Sequence, residues 1–446
     1  MSENQVGFVT KSPFPRNYAP ELLNIVSGKG CYVTDAAGKR YLDFGSGIAV
    51  NALGYGLKDL SKRLRRQVKE LVHISNLFAN SPAVELARRL LEIRVEGSEK
   101  SFGAVHFGNS GAEANEAAIK YARLYAMATR GSGHHKILSF SHGFHGRTLG
   151  ALSVTPTQKY RTKFEPLIPG CESVEYNDPE AARKAIDESF AAVIVEVVQG
   201  EGGLTMMSEE FAKALNEACA AKDVLLIADE IQTGLGRTGH LLGSSVVGLD
   251  PDIVSLSKPL AAGLPLSATL IPGRVNEHVE VGDHGTTFGG GPVTAEAGLY
   301  IIDRITEPGF LQGVRERAAH LDRRLGELLG ELPCVAGLRG TGLLRGLEIV
   351  APEEQEDSGA GAAGPESGSG LGNPGSTGPG AAPSGEERTA EGGAARLPEV
   401  MKRARERGLL ILRSGKNILR IAPPLIISEK EIDRGVEILR SVLEEE

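Results

Sequence analysis

Lys258, in the stretch DIVSLSKPLAAGLPLSA, follows an apolar run and is itself followed by proline, alanines and glycine, a strange setting for a surface charge. An amine held among apolar neighbours loses part of its proton and can attack a carbonyl to form a Schiff base; a strand-end lysine reaching solvent along its stem would carry the same local pattern. Asp229 closes the apolar run of VLLIADEIQ, which reads as a fully buried strand. An ionised carboxylate at that point is costly unless a cation meets it. In FGNSGAEANEAAIKYAR, Ser110 and Glu113 have capping-box spacing and Gly111 permits close approach of the backbone. The free N–H groups of the helix that follows then form an anion site suited to a phosphate, although an ordinary helix cap would use the same residues.

These groups need a frame to hold them. Between about residues 60 and 300 the short runs AVHF, KILSF, AAVIVEVV, VLLIADE, DIVSLS and SATLIP alternate with stretches of helical periodicity such as EANEAAIKYARLYA and SEEFAKALNEACAAKD. That alternation predicts an α/β domain over 61–300, a mostly parallel sheet covered by helices. Residues 1–60 contain a hairpin signal, GCYVTDAAGKRYLDF, and 301–446 mix helix with short strands, which predicts that the two ends pack together as a smaller α+β domain. Within the latter, residues 353–395 have almost no large apolar side chain and are predicted to be a disordered surface insertion, with too little surface to bury against the entropy of ordering. GLGRTG, residues 234–239, fits the dinucleotide pattern G-x-G-x-x-G, but EIQT separates it from the strand and no good helix follows, so a Rossmann reading is set aside.

The balance of 49 Lys and Arg against 57 Asp and Glu leaves no basic footprint for nucleic acid or an anionic membrane. The four cysteines are far apart and have no metal-ligand spacing, so neither zinc nor a disulfide framework is expected. The start of the chain has no apolar signal core and no stretch reaches membrane-spanning length, which makes the cytoplasm the expected compartment.

A phosphate cradle, a buried-strand aspartate and a Schiff-base lysine, in that order on an α/β sheet, are the parts that pyridoxal 5'-phosphate requires, with the protonated ring nitrogen as the cation facing Asp229. The blocks NSGAEANEAAIKYAR, GFHGRTLGALSVT, VEVVQGEGG, LLIADEIQTGLGRTG, SLSKPLAAGLPL, GDHGTTFGGGP and LRIAPPL together resemble the class III (ornithine-type) aminotransferases of fold type I. The resemblance implies a catalytic Lys258 that tethers the cofactor and shuttles the proton, and Asp229 on the ring nitrogen. It further implies Phe144 stacked on the ring, Gln232 near the phenolic oxygen with Glu230 and Ile231 beside it, and Ser110, Gly111 and Ala112 around the phosphate. Thr287 would reach the phosphate from a neighbouring subunit, so a homodimer is implied. Arg147, with Tyr18 beside it, would bind the substrate carboxylate remote from the reacting amine, and Arg420 the α-carboxylate of glutamate. Glu201 would pair with Arg420 when no such carboxylate is present.

GIAVNALGYG, HISNLFAN and GDHGTTFGG are most similar to the acetylornithine members, with Thr286 close to the substrate, and Ile48 stands where ornithine δ-aminotransferases usually carry tyrosine. The implied reaction moves an amino group from N-acetylornithine to 2-oxoglutarate. Because SKPLAAGLPLSA is nearer to the lysine block of 4-aminobutyrate aminotransferases, that donor or another ω-amino acid stays open, as do a racemase or aminomutase on the same fold and a non-enzymatic binding protein.

Overall fold

The structure, a computed structural model, describes Pro15, Asn17, residues 23–351 and residues 385–445. Its largest sheet has seven strands in the order Ala104–Gly108, Ser267–Ile271, Ile253–Leu256, Leu225–Asp229, Phe190–Val195, Lys136–Phe140 and Cys171–Val174. Six run in one direction, and Ser267–Ile271 alone runs against both of its neighbours. Phe190–Val195 and Leu225–Asp229 are buried at every residue because helices cover both faces, which is why their sequences are continuous apolar runs and not alternating ones. All six strands read from the sequence are here. The one it missed, Cys171–Val174, lies at the sheet edge, where Glu172 and Ser173 are exposed and the apolar signal is lost.

The ends of the chain meet in the smaller part. Leu409–Leu410 adds in parallel to Arg40–Asp43, which forms a hairpin with Tyr32–Asp35, and a second sheet orders Val335–Thr341, Leu344–Ile349, Ile418–Ile421 and Leu412–Ser414. One core holds Leu42, Phe44, Leu347, Leu419 and Leu439 together. The junction with the large part lies beyond residue 300. Ile301, Ile302 and Ile305 of the helix Pro292–Ile305 belong to the large core, whereas Val314, Leu321 and Leu325 of the next helix, Phe310–Glu331, belong to the small one.

A second boundary also moves. A helix spans Gly385–Glu406, so the last eleven positions of the insertion read from the sequence, 385–395, lie in ordered structure; the rest of it, beyond residue 351, lies outside the described residues. The backbone of Gly393 passes so close to the Ile349 carbonyl that a Cβ would sit 2.0 Å from it. Two deletions should therefore differ. Removing 355–384 is expected to leave turnover and melting temperature unchanged, whereas removing 355–393 strips the first turns of this helix and is expected to lower stability by about 2 kcal/mol, as thermal unfolding of the two variants would establish. Among the described residues, no helix is long and apolar enough to cross a membrane.

Candidate active site

The parallel strands deliver their chemistry at their carboxyl ends, where open α/β sheets place ligand crevices. Ala228 pairs with Val195 and Asp229 with Ser255, so Asp229, Glu196 and the turn bearing Lys258 arrive side by side. Gly111, Ala112, Phe144, His145, Arg147, Glu196, Asp229, Ile231, Gln232 and Lys258 line one cavity of about 250 Å³. Lys258 opens a short 3-10 turn after its strand. Burial first, and the Arg420 charge second, push its amine down to about 8, against the opposing pull of Glu201, Asp229 and Glu196.

Asp229 is 4% exposed. Its Oδ2 accepts from Asn115 Nδ2 and from His145 Nδ1, both at 2.8 Å, while among the described residues Oδ1 accepts only from the Ile231 backbone N–H at 3.2 Å. A carboxylate with one oxygen fully engaged and the other lightly engaged is fixed in orientation yet can still accept from a cationic donor in the cavity. Burial opposes a charge on His145, but the Asp229 hydrogen bond and the charges of Asp229 and Glu196 outweigh it and raise its pKa. Glu196 accepts from Phe144 N at 2.8 Å and Gly200 N at 3.3 Å; burial, helped by Asp229, raises its pKa, with His145 pulling the other way.

The cradle forms at the start of the helix Gly111–Arg130. Ser110 caps it and Glu113 reaches back to the Ser110 N–H in a complete capping box, so the backbone of Gly111 and Ala112 borders the cavity at the helix's positive end. A Cβ at Gly111 would lie 2.7 Å from Ile231 Cδ1, so a larger residue there would push the Ile231 side chain aside. Gln232 is buried and its Oε1 has no partner among the described residues. A buried, unmatched acceptor is expensive and points to a donor supplied by a ligand. Together with the amine and the lightly engaged carboxylate, it fits pyridoxal phosphate. Arg147 stands at the mouth with its guanidinium 5.3 Å from the Phe144 ring and 4.0 Å from that of Tyr160. Arg420, 4% exposed, donates to Glu201 Oε1 at 2.8 Å and to the Gly200 carbonyl.

Six of the described sequence-read residues do not line this cavity: Ser110, Glu201 and Arg420, whose contacts are given above, and Glu230, Thr286 and Thr287. The Glu230 carboxylate is not a cofactor contact: it accepts from the Gly243 and Ser244 backbones and from the Ser244 and Thr233 hydroxyls, which consumes both oxygens in closing the 230–244 loop. Thr286 and the exposed Thr287 line a different cavity, of about 640 Å³, with His73, Asn76, His106 and His284. Tyr18 lies outside the described residues. Conversely, sequence reasoning missed Asn115, His145 and Glu196. Glu196 carried the same signal as Asp229, a carboxylate inside an apolar strand run; His145 and Asn115 stood inside motifs read only for their neighbours.

The family model for class III aminotransferases matches residues 14–443. A mitochondrial acetylornithine aminotransferase of Alnus glutinosa is 39% identical over 432 residues, covering 96% of this chain and 84% of that one. The acetylornithine aminotransferase of Caldanaerobacter subterraneus subsp. tengcongensis is 38% identical over 424 residues, 95% of each chain. Among solved structures, the ornithine aminotransferase of Toxoplasma gondii ME49 matches with a TM-score of 0.84 at 28% identity, over 100% of this chain and 97% of that one. Similarity of that extent, added to an amine and a carboxylate set at one cavity, shows the family: the chain belongs to the class III aminotransferases and is a pyridoxal-phosphate-dependent transaminase.

Proposed function

We propose that this enzyme transfers the δ-amino group of N-acetylornithine to 2-oxoglutarate, giving N-acetylglutamate semialdehyde and glutamate. The observation that carries this reading is the Glu201–Arg420 pair at 2.8 Å, with Arg420 buried and Arg147, stacked on Tyr160, without an ion pair among the described residues. A site serving two amino donors must accept a carboxylate on the reacting carbon from glutamate and only hydrogen there from an ω-amine. Arg420 serves the first and Glu201 keeps it compensated for the second, since an unpaired buried guanidinium would be costly. Arg147 supplies a planar bidentate donor for the far carboxylate in both halves, with Tyr18 beside it in this reading.

Bound pyridoxal phosphate supplies an electrophilic carbon and an electron-accepting ring. The chain's own groups do the rest. Lys258 takes a proton from the substrate carbon and returns one to the cofactor side, Asp229 holds positive charge on the ring nitrogen, Phe144 covers the ring, and Gln232 donates to or accepts from its phenolic oxygen. We place Ser110, Gly111 and Ala112 on the phosphate. We further read a homodimer, in which Thr287 of a second copy reaches the phosphate and Thr286 approaches the substrate; the exposed Leu77, Phe78, Val281 and Phe288 near that loop support a partner face. The cytoplasm belongs to the same reading, supported by four cysteines spread along the sequence with neither disulfide-framework nor metal-ligand spacing.

A panel of acetylornithine, ornithine, 4-aminobutyrate and lysine derivatives with 2-oxoglutarate tests the donor. Acetylornithine should give the highest kcat/KM, and a higher value for 4-aminobutyrate would replace this reading with that one. Glu201→Ala is expected to slow the ω-amine half-reaction by about ten- to a hundred-fold and the glutamate half much less, because glutamate brings its own compensating carboxylate. Stopped-flow absorbance of the two halves measures this, and equal losses would contradict the switch.

A further inference from the structure

The loop that follows Asp229 contains a buried cation that the reaction as described does not use. Arg237 is 1% exposed, and burial weighs against its charge. Among the described residues no carboxylate meets it: its Nη1 donates to the Leu343 carbonyl at 3.0 Å and to the Pro423 carbonyl at 2.5 Å, and its Nε and Nη2 have no partner. Both acceptors lie in the small part of the molecule. Leu343 begins the hairpin return into Leu344–Ile349, and Pro423 lies three residues after Arg420 on the neighbouring strand, where Gly346 pairs with Arg420. The contact is two-sided, since the Arg237 carbonyl accepts from Leu343 N at 3.0 Å. Gly342 closes the joint, with φ at 62° and no room for a Cβ, which would stand 2.6 Å from the Arg237 oxygen.

The other end of the loop is equally fixed. Glu230, immediately after Asp229, staples residues 243 and 244 back to the strand end, so the loop leaves the sheet in one shape. Burying a guanidinium against carbonyls alone costs several kcal/mol that an apolar residue would avoid. Simple cohesion between two domains does not require that expense, whereas holding two strands at a fixed distance from a third does.

We propose that Arg237 is a positioning residue for Arg420: it ties the strand carrying the α-carboxylate arginine to the loop that follows Asp229, and so sets the separation between Arg420 and Lys258. This rests on the proposed division of labour in which Arg420 binds glutamate and 2-oxoglutarate, while the ω-amine is held from Arg147 in the large part.

The cofactor-loaded enzyme tests it with three variants and two readouts: KM for each substrate, and the dissociation constant of glutarate, a five-carbon dicarboxylate that cannot react. Arg237→Met keeps bulk but loses both bonds. It is expected to raise the KM for 2-oxoglutarate and the glutarate dissociation constant by about ten-fold or more while the KM of the amino donor stays within about two-fold. Arg237→Lys should recover part of that loss, because one ammonium can still donate to both carbonyls. Gly342→Ala pushes the same joint from the opposite side without touching the guanidinium and should shift the same two constants. Proportional losses for both substrates, a fall in melting temperature with unchanged constants, or failure of both Arg237→Met and Gly342→Ala to fold would each overturn the proposal by making the joint a stability element. If the wild-type enzyme rejects acetylornithine but the selective loss toward 2-oxoglutarate appears with whichever amine it accepts, the donor assignment fails and this positioning role stands.

Discussion

Replacing Lys258 with alanine is expected to abolish turnover, by at least about 10⁴-fold in kcat, with both half-reactions lost together. The size follows from the amine's position. Among the described residues it is the one lysine lining the cavity, and it arrives three residues after Ser255, which pairs with Asp229. Treatment of the loaded enzyme with borohydride should fix the cofactor to this side chain in the wild type and leave the variant unmodified. Residual activity within about a hundred-fold of wild type would remove the basis for the functional reading.

Removing the same amine has an effect of opposite sign on stability. With its pKa depressed to about 8, Lys258 in the cofactor-free fold gives up its proton before the unfolded chain does. Between about pH 8 and the ordinary lysine value the unfolded state therefore binds more protons, and this group's contribution makes stability rise with pH over that window. Below pH 8 its charge is a standing cost, on the order of 2 kcal/mol after allowing for its partial exposure. Cofactor-free Lys258→Met should accordingly unfold at a higher temperature than cofactor-free wild type at pH 7, with the gap closing towards pH 10. Capture of added pyridoxal phosphate by the wild type, followed by absorbance, should accelerate up to about pH 8 and then level, since the neutral amine is the nucleophile.

How far this site could be read in advance depended on whether a residue's function left a local imprint. Lys258 and Asp229 break strong apolar runs, and a charge in such a run needs a reason; Ser110 and Glu113 announce a helix start by spacing alone. Glu230 misled because it adjoins Asp229 in sequence, yet successive residues at a strand end point to opposite sides, and its carboxylate turned to the 243–244 turn. Arg237 was invisible for a different reason. GLGRTG fits a dinucleotide pattern, but nothing local shows that its arginine is buried between carbonyls of residues 343 and 423, more than a hundred positions away. The sheet was legible because both faces are buried; the edge strand Cys171–Val174 and the helix start at Gly385 were not, since one is half exposed and the other is made of glycine, alanine and charge.

Asp229→Asn separates charge from shape at the second essential group. The amide is nearly isosteric, so Asn115 and His145 keep a neighbour at the position where each now sits 2.8 Å from Oδ2, and the fold is expected to survive. What disappears is the negative charge beside the cavity, and with it the hold on a protonated ring nitrogen and part of the pull that raises the His145 pKa. Loss of a preorganised charge in a water-poor site costs about 10²- to 10⁴-fold in kcat. If the acid faces the cofactor and not either substrate, as proposed, the two half-reactions should fall by the same factor. That distinguishes it from Glu201→Ala, which divides them, and from Arg237→Met, which acts through binding of the dicarboxylate. Rapid-mixing measurements of each half, with glutamate and with the amino donor, decide the matter: a variant that lost only one half would move Asp229 from the cofactor to a substrate, while a loss below about ten-fold would mean that the buried carboxylate serves chiefly to hold His145 and Asn115 in place.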